Sequence, residues 1–366
     1  MKSVPFLEAF RDITSQYSKI PKSKFVVSGS FPIIDQGKGK IAGYFDDVTL
    51  AVDRGEVVVF GDHTRAVKFA KGPFAVGADG TKVLMPVMGL FPRYAYRWLE
   101  AQDVPSLGYS RHFKLLKELA VPVCNEAEQR RIADILDKAD ALRNKRRETI
   151  AQLDALGQSI FHEMFGGSET AQQVILADVL RNGLRNGLSP STSGVVAGEV
   201  LTLGAITGSE LDLSQKKAGF FDSDFHAEQL VRPGKILICR GNGNKHLVGK
   251  GKVVHDADNR VGYPDTIIAG DINTSIIEPM FLQTVWESPD VRGQIERGAR
   301  TTNGTFKVNQ SLLGSINFPL PSRDLQRRFV NRIAAIERLK AKHLVQLVEL
   351  DKLFLSVRDR AFRGDL

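Results

Sequence analysis

The sequence repeats itself at a shift of 197 residues. Leu115-Leu116 falls on Leu312-Leu313, Pro122 on Pro319, and Gln129-Arg130-Arg131 on Gln326-Arg327-Arg328. Further along, Leu142, Lys145, Leu153, Asp154, Leu156, Ser159, Phe165 and Gly167 fall on Leu339, Lys342, Leu350, Asp351, Leu353, Ser356, Phe362 and Gly364. No gap is needed over 53 positions. A fixed-period match of this kind marks a tandem duplication, which restricts the chain to architectures built from two equivalent units.

Each copy predicts one long helix. Pro122 and Pro319 close the strand-like stretches `LAVPV` and `INFPL`, because the residue before a proline avoids the helical region. Asn125 and Ser322 are suited to cap the helix start, and Glu128 completes a capping box in the first copy, where the second has Leu325. Gly166-Gly167 and Gly364 supply the stop. An apolar seam of 3.5-residue period runs through Ile132, Leu136, Ala139, Leu142, Arg146, Ile150, Leu153, Leu156 and Ile160. In the second copy it runs through Phe329, Ile333, Ile336, Leu339, His343, Leu347, Leu350, Leu353 and Val357. This is a coiled-coil stripe, and forty helical residues span about 60 Å. Duplicated units pack about a pseudo-two-fold axis. An axis crossing the helix pair makes the helices antiparallel and brings Arg146 and His343, each midway along its seam, together.

The helices occupy 122–167 and 320–366, and globular segments fill 1–121 and 168–319. The two segments share a plan: `VDRGEVVVF` (52–60) matches `VRPGKILIC` (231–239) as a glycine turn entering a buried strand, and `FLEAFRD` matches `VILADVL`. Short strands, glycine turns and a few helices make both α/β (mixed) modules. The similarity is high in the helices and low in the modules, so the helices share one task and the modules have two different ones. Residues 1–124 and 322–366 each carry +5, while 125–166 and 167–321 each carry −1, for a net charge of +8. That balance suits a polyanionic partner. No apolar run approaches the ~18 residues of a membrane span. The N-terminus lacks the apolar core of a secretory signal, and two cysteines are too few for a disulfide framework. The expected location is the reducing cytoplasm.

Candidate polyanion contacts lie in glycine-rich loops. Residues 232–255 carry Arg232, Lys235, Arg240, Lys245, Lys250 and Lys252 around Asn242, Asn244 and His246. Residues 292–310 offer Arg297, Arg300, Thr301, Thr302, Asn303 and Lys307. The first module offers Lys22, Lys24, Lys38 and Lys40 around Gln36, then Arg65 and Lys68. Lysine and arginine neutralise phosphates, and arginine, asparagine and glutamine pair with base edges. In `RYAYRW`, Tyr94, Tyr96 and Trp98 alternate as a packed strand would.

Catalytic motifs are missing. `GNGNKHLVGKG` has the wrong glycine spacing for a phosphate loop and no Ser or Thr after Lys250. `GKGKIAG` is out of step with the dinucleotide fingerprint. There is no Asn/Asp-Pro-Pro-aromatic segment, and Pro289-Asp290 is followed by Glu296-Arg297-Gly298 rather than a nuclease Glu-x-Lys. No metal-ligand spacing occurs among the seven histidines and two cysteines.

Module, long helix, module, long helix, with Gln-Arg-Arg near the start of each helix, resembles the specificity subunit of type I restriction–modification systems along essentially the whole chain. The resemblance implies two target recognition domains, each reading one half of a bipartite double-stranded DNA site. It implies an antiparallel coiled coil that sets their separation and docks two methyltransferase subunits, with restriction subunits joining the assembly. It implies no catalysis and no cofactor in this subunit, with S-adenosylmethionine, ATP and magnesium held by the partners, and no membrane. Leu325, Leu344, Val345 and Val348 stand where the first copy has Glu128, Arg147, Glu148 and Ala151, so the two outer faces differ. A stand-alone DNA-binding regulator and a coiled-coil adaptor for proteins are the competing expectations.

Overall fold

The computed structural model describes residues 1–77, 79–87, 89–108, 110–165, 172–257, 260–302 and 304–366. The chain divides into two units, Met1–Ile150 with Lys342–Leu366, and Ala151–Ala341. The long helices Glu126–Phe165 and Arg323–Arg363 are each continuous. Each unit therefore holds one module and a segment of both helices.

The modules are built alike. In the first unit an antiparallel sheet runs in the order Phe10–Asp12, Thr81–Pro86, Val57–Gly61, Val67–Ala70. In the second unit the order is Arg185–Asn186, Ile267–Asp271, Lys235–Cys239, Gly251–Val253. The matched sequence stretches are the inner strands Val57–Gly61 and Lys235–Cys239, every residue of which is buried. A short apolar run between turn signals suits a strand covered on both faces. A two-stranded ribbon closes each module at the helix start. Lys2 pairs with Val123 in one and Gln172 with Leu320 in the other, and Val123 and Leu320 are themselves 197 residues apart.

The stretch `RYAYRW` is helical, within Pro92–Glu100, not a strand. Pro92 takes the first helical position, where its fixed φ and missing N–H cost nothing. Tyr94, Ala95, Trp98 and Leu99 are buried, a spacing that follows the helical period. Alternation among three aromatics misled because Ala95 and Leu99 complete the helical face.

Both helix starts carry the expected side-chain cap, but the capping box expected at Glu128 does not close, because its carboxylate turns to Arg131. Asn125 Oδ1 accepts from the Glu128 N–H at 2.8 Å, and Ser322 Oγ from the Leu325 N–H at 3.4 Å. The Glu128 carboxylate accepts from Arg131 at 2.9 Å. Gly364, at φ +90°, ends the second helix, with its N–H on the Arg360 carbonyl. Gly166-Gly167 lie outside the described residues.

Within each unit the two helix segments run antiparallel. In the first unit Arg146 contacts His343, Arg143 contacts Asp351, and Arg131 contacts Leu366. In the second, Asp154 meets Lys340 and Glu163 meets Arg332. The seam itself departs from the expected one at two positions in each copy. Leu142, Leu156, Leu339 and Leu353 are 57, 45, 45 and 56% exposed and lie outside it. The buried and half-buried stripe is Gln129, Ile132, Leu136, Ala139, Arg143, Arg146, Ile150 and onward through Leu153, Gly157, Ile160 and Met164. Its counterpart is Gln326, Phe329, Ile333, Ile336, Lys340, His343, Leu347, Leu350, Phe354, Val357 and Ala361. Steps of three and four alternate strictly, as heptad packing requires. Following leucines instead broke that alternation.

Arg143 and Lys340, which enter the seam, are paired with acids. Arg143 donates to Asp351 at 2.5 Å and lies 4.2 Å from the Phe354 ring centroid. Lys340 pairs with Asp154 at 2.7 Å. Arg143 and Lys340 are repeat partners, as are Asp154 and Asp351. The same ion pair is thus formed once in each unit.

Candidate nucleic-acid interface

The repeated glutamine positions each module on its helix. Gln129 is buried, and its Oε1 accepts from the Phe91 N–H at 2.7 Å. Its Nε2 donates to the carbonyls of Cys124 and Gly89 at 2.8 and 3.2 Å. Gln326 does the same to the Glu278 N–H at 2.8 Å and to the carbonyls of Pro321 and Ile276 at 2.9 and 3.3 Å. Phe91 and Glu278 are the residues just before the module helices Pro92–Glu100 and Pro279–Trp286. Each glutamine amide therefore joins a module helix start to a long-helix start. The arginines that follow are exposed. Arg130 pairs with Glu126 at 2.7 Å and covers the Phe91 ring, while Arg327 reaches Glu278 at 3.5 Å.

Beyond this shared latch the modules attach differently. In the first unit the buried Arg97 binds Asp137 and Glu100 at 2.7 Å and Asp140 at 3.2 Å, with Arg93 on Asp137 at 2.6 Å. Although burial opposes its charge, Glu100 and Asp137 hold the Arg97 pKa above the ordinary value. In the second unit the rings of Phe161, Phe165, Phe281 and Phe329 pack at centroid separations of 5.2–6.1 Å.

In the first module, Lys22 and Lys24 are exposed on a short turn, and Lys38 and Lys40 are exposed between strands Phe31–Ile34 and Gly43–Phe45. The carbonyl of Gln36 accepts from the Thr64 hydroxyl, and its Oε1 accepts from the His63 N–H at 3.2 Å. That bond pair brings the 35–40 loop against the 61–65 turn. A Cβ at Gly61 would lie 2.7 Å from the Gln36 carbonyl, so this approach requires glycine. Arg65, at φ +63°, donates to the Val104 carbonyl at 2.8 Å. Lys68 is not a surface cation. It is buried and bound to the Asp35 carbonyl at 2.7 Å and carboxylate at 3.3 Å, and burial lowers its pKa.

In the second module the two candidate stretches, some sixty positions apart, meet in one sheet. Its order is Gly241–Asn242, Thr305–Lys307, Arg300–Thr302. Gly241 pairs with Lys307, Asn242 with Phe306, and Arg300 with Lys307. Side chains alternate between faces, so Gly241, Lys307, Arg300 and Thr305 share one face, and Asn242, Phe306 and Thr301 the other. Phe306 packs against the core, so the Arg300–Lys307 face looks outward. Both cations are exposed, as are Thr301 and Arg297 at the end of helix Pro289–Gly298. Asn303 lies outside the described residues, and Thr302 is placed as backbone only.

The remaining candidates serve local structure in part. Arg240 donates to the Asp265 carbonyl at 3.2 Å. Asn242 Oδ1 accepts from the Asn244 N–H, and Asn244 Oδ1 from the His246 N–H. Lys245 is exposed. His246 touches Glu296 at 3.2 Å, and that hydrogen bond holds the Glu296 carboxyl below its usual range. Lys250 is half-buried with its ammonium on the Thr207 carbonyl at 2.8 Å, its pKa lowered by burial. Lys235 and Lys252 are buried in pairs with Asp271 and Glu287. Sequence spacing missed this division because a cation with a carboxylate or carbonyl within reach reads like a free cation along the chain. Lys68→Met and Lys250→Met are expected to leave duplex affinity and its salt dependence within about twofold, since neither ammonium reaches the surface charge that sets that dependence. Titration of the variants against a mixed-sequence duplex checks this.

Cys239 is free and buried, and desolvation pushes its thiol up to about 11. Among the described residues no three His, Cys, Asp or Glu side chains gather as metal ligands, and no helix is long and apolar enough to cross a membrane.

No family model matches the chain. Over 274 residues it is 23% identical to the type I restriction enzyme EcoKI specificity subunit of Escherichia coli strain K12. Over 271 residues it is 21% identical to the StySPI specificity subunit of Salmonella potsdam. Each match covers 67% of this chain and 57% of the relative, so the chain spans little more than half the length of the curated relatives it matches. Two solved structures share the fold. The type I restriction–modification S subunit from M. genitalium superposes with a TM-score of 0.56 at 16% identity, over 99% of this chain and 96% of that one. A chain from a study of complex assembly and conformational transition in the type I system superposes with a TM-score of 0.57 at 17% identity, over 100% of this chain and 98% of that one.

Proposed function

We infer that the chain belongs to the specificity subunits of type I restriction–modification systems, and we propose that it is the non-catalytic, DNA-recognising member of such a complex. The observation that carries this is the duplicated unit. Each module is latched by a repeat-equivalent glutamine, Gln129 or Gln326, to the start of a long helix, yet the two expose different basic elements. One offers the loops around Lys22, Lys24, Lys38 and Lys40, the other the sheet carrying Arg300 and Lys307. Two readers on a common frame suit a bipartite target with a fixed gap. In this reading 1–121 and 168–319 are the target recognition domains, and 122–167 and 320–366 the spacer helices.

The outward leucines give the frame a second task. Leu142, Leu339, Leu344, Val345, Val348 and Leu353 are exposed on the long helices. Isolated exposed apolar residues are ordinary, but runs along one helix mark interaction surfaces. We assign them to the docking of two methyltransferase subunits, with restriction subunits joining afterwards. S-adenosylmethionine, ATP and magnesium then belong to those partners, and the complex works in the cytoplasm. A stand-alone regulator has no use for these apolar faces.

Co-purification with the methyltransferase encoded beside this gene, followed by methylation mapping in an otherwise unmodified host, tests the proposal. The expected result is adenine methylation at one bipartite motif of constant gap. DNA binding by the chain alone, with no complex, would favour the regulator. Lengthening both long helices by one heptad adds about 10 Å, close to three base pairs at 3.4 Å each. The mapped gap is expected to grow by about that amount with both half-sites unchanged. Altered half-sites at a constant gap would refute the ruler.

A further inference from the structure

The outward row of the second module's sheet contains an electrostatic conflict. Arg300 and Lys307 are directly opposite on neighbouring antiparallel strands. Cross-strand partners have Cβ atoms about 5 Å apart, and like charges in that relation destabilise a sheet. Both side chains are exposed, and among the described residues neither has an acidic partner. The hairpin sequence from Arg297 to Gln310 contains no Asp or Glu. The third residue across the row is Gly241, paired with Lys307. A Cβ there would lie 3.3 Å from Lys307 Cγ, so glycine leaves the lysine stem room to lie across the sheet. On the neighbouring sheet of this module Lys235 is neutralised by Asp271 and Lys252 by Glu287, whereas the outward row sets two cations against each other.

Geometry says which part of a duplex would relieve the conflict. The strands turn at Gly304, whose φ of +73° suits a tight hairpin. Arg300 and Lys307 stand three residues or more back from that turn, about 10 Å at ~3.3 Å per residue. The major groove admits a two-stranded ribbon and is about 8.5 Å deep. With the turn at the base edges, the Arg300–Lys307 row stands level with the groove rim, where the phosphates are. We infer that Arg300 and Lys307 are a phosphate clamp at the mouth of the major groove, holding the backbone rather than reading base edges. The inference rests on the DNA-reading function proposed above and assigns roles within it.

A clamp of this kind trades stability for binding, which gives it a signature that a structural role lacks. In the full chain complexed with its methyltransferase, Arg300→Gln and Lys307→Gln are each expected to lower the slope of log affinity against log salt by about one. The loss is expected to be equal on a mixed-sequence duplex and on the mapped target. Each substitution is also expected to raise the melting temperature of the free chain, because it removes the repulsion. Arg300→Lys keeps the charge and is expected to bind within about threefold of wild type. A loss confined to the mapped target at unchanged slope would overturn the clamp in favour of base reading. Wild-type slopes in both glutamine variants would remove the row from the interface while leaving the DNA-reading function standing. A wild-type complex with no salt-dependent duplex affinity would overturn both.

Discussion

Gln326→Leu is expected to cost about 3 kcal/mol of stability, read as a lowered urea midpoint of the full chain. The side chain is 1% exposed and satisfies three backbone groups, the Glu278 N–H and the carbonyls of Ile276 and Pro321. Leucine preserves most of the volume but leaves those groups buried without their partner, and each such loss costs about 1–3 kcal/mol. Gln129→Leu is expected to behave alike, because its three bonds go to the equivalent groups, Phe91 N–H, Gly89 O and Cys124 O. Gln326→Glu keeps the acceptor but sets a carboxylate against two carbonyls, so it too is expected to destabilise. Leucine variants whose stability lies within about 0.5 kcal/mol of wild type, the range of an ordinary surface change, would show that the repeated glutamine is not a latch.

Arg97→Met is the second large effect, at about 2–3 kcal/mol. Breaking a buried pair by removing one partner costs about 3–5 kcal/mol. Here Asp137, Asp140 and Glu100 are 26–38% exposed and water screens them, which lowers the figure. Arg93 also keeps its bond to Asp137. Because the guanidinium itself is 3% exposed, the loss is expected to change little between low and moderate salt. The double variant Arg97→Met with Asp137→Asn is expected to lose less than the sum of the two single changes, the sign of direct coupling. Strict additivity would mean that the two groups do not hold the first module to its helix.

The repeat carried most of the architecture in one dimension. A gapless match over 53 positions requires two equivalent units, and the matched residues are those that the structure uses twice. Gln129 and Gln326 make the same three-bond latch, and Asp154 and Asp351 each accept from the repeat-equivalent seam cation, Lys340 and Arg143. The midway pair Arg146 and His343 meets as an antiparallel arrangement demands. Caps, the stop at Gly364 and the inner strands were legible because they depend on local chemistry: a side-chain acceptor at a helix start, a glycine at positive φ, an apolar run between turns.

Side-chain fate was another matter, because it depends on partners distant in sequence. Lys68 and Lys250 look like Lys38 and Lys307 in a list of charges, yet Asp35 and the Thr207 carbonyl reach the first two. Leucine content suggested a seam through Leu142, Leu156, Leu339 and Leu353. The helix partner instead selected Arg143, Gly157, Lys340 and Phe354, because only strict alternation of three and four keeps one face inward. The sheet that joins Gly241–Asn242 to Arg300–Lys307 could not be seen from either segment alone. Sequence by itself determined that there are two units, where their helices start, and which residues they share. Tertiary structure alone decided which charges are neutralised and which two stand exposed and opposed, since strand pairing, not spacing along the chain, brings those groups within a few ångströms.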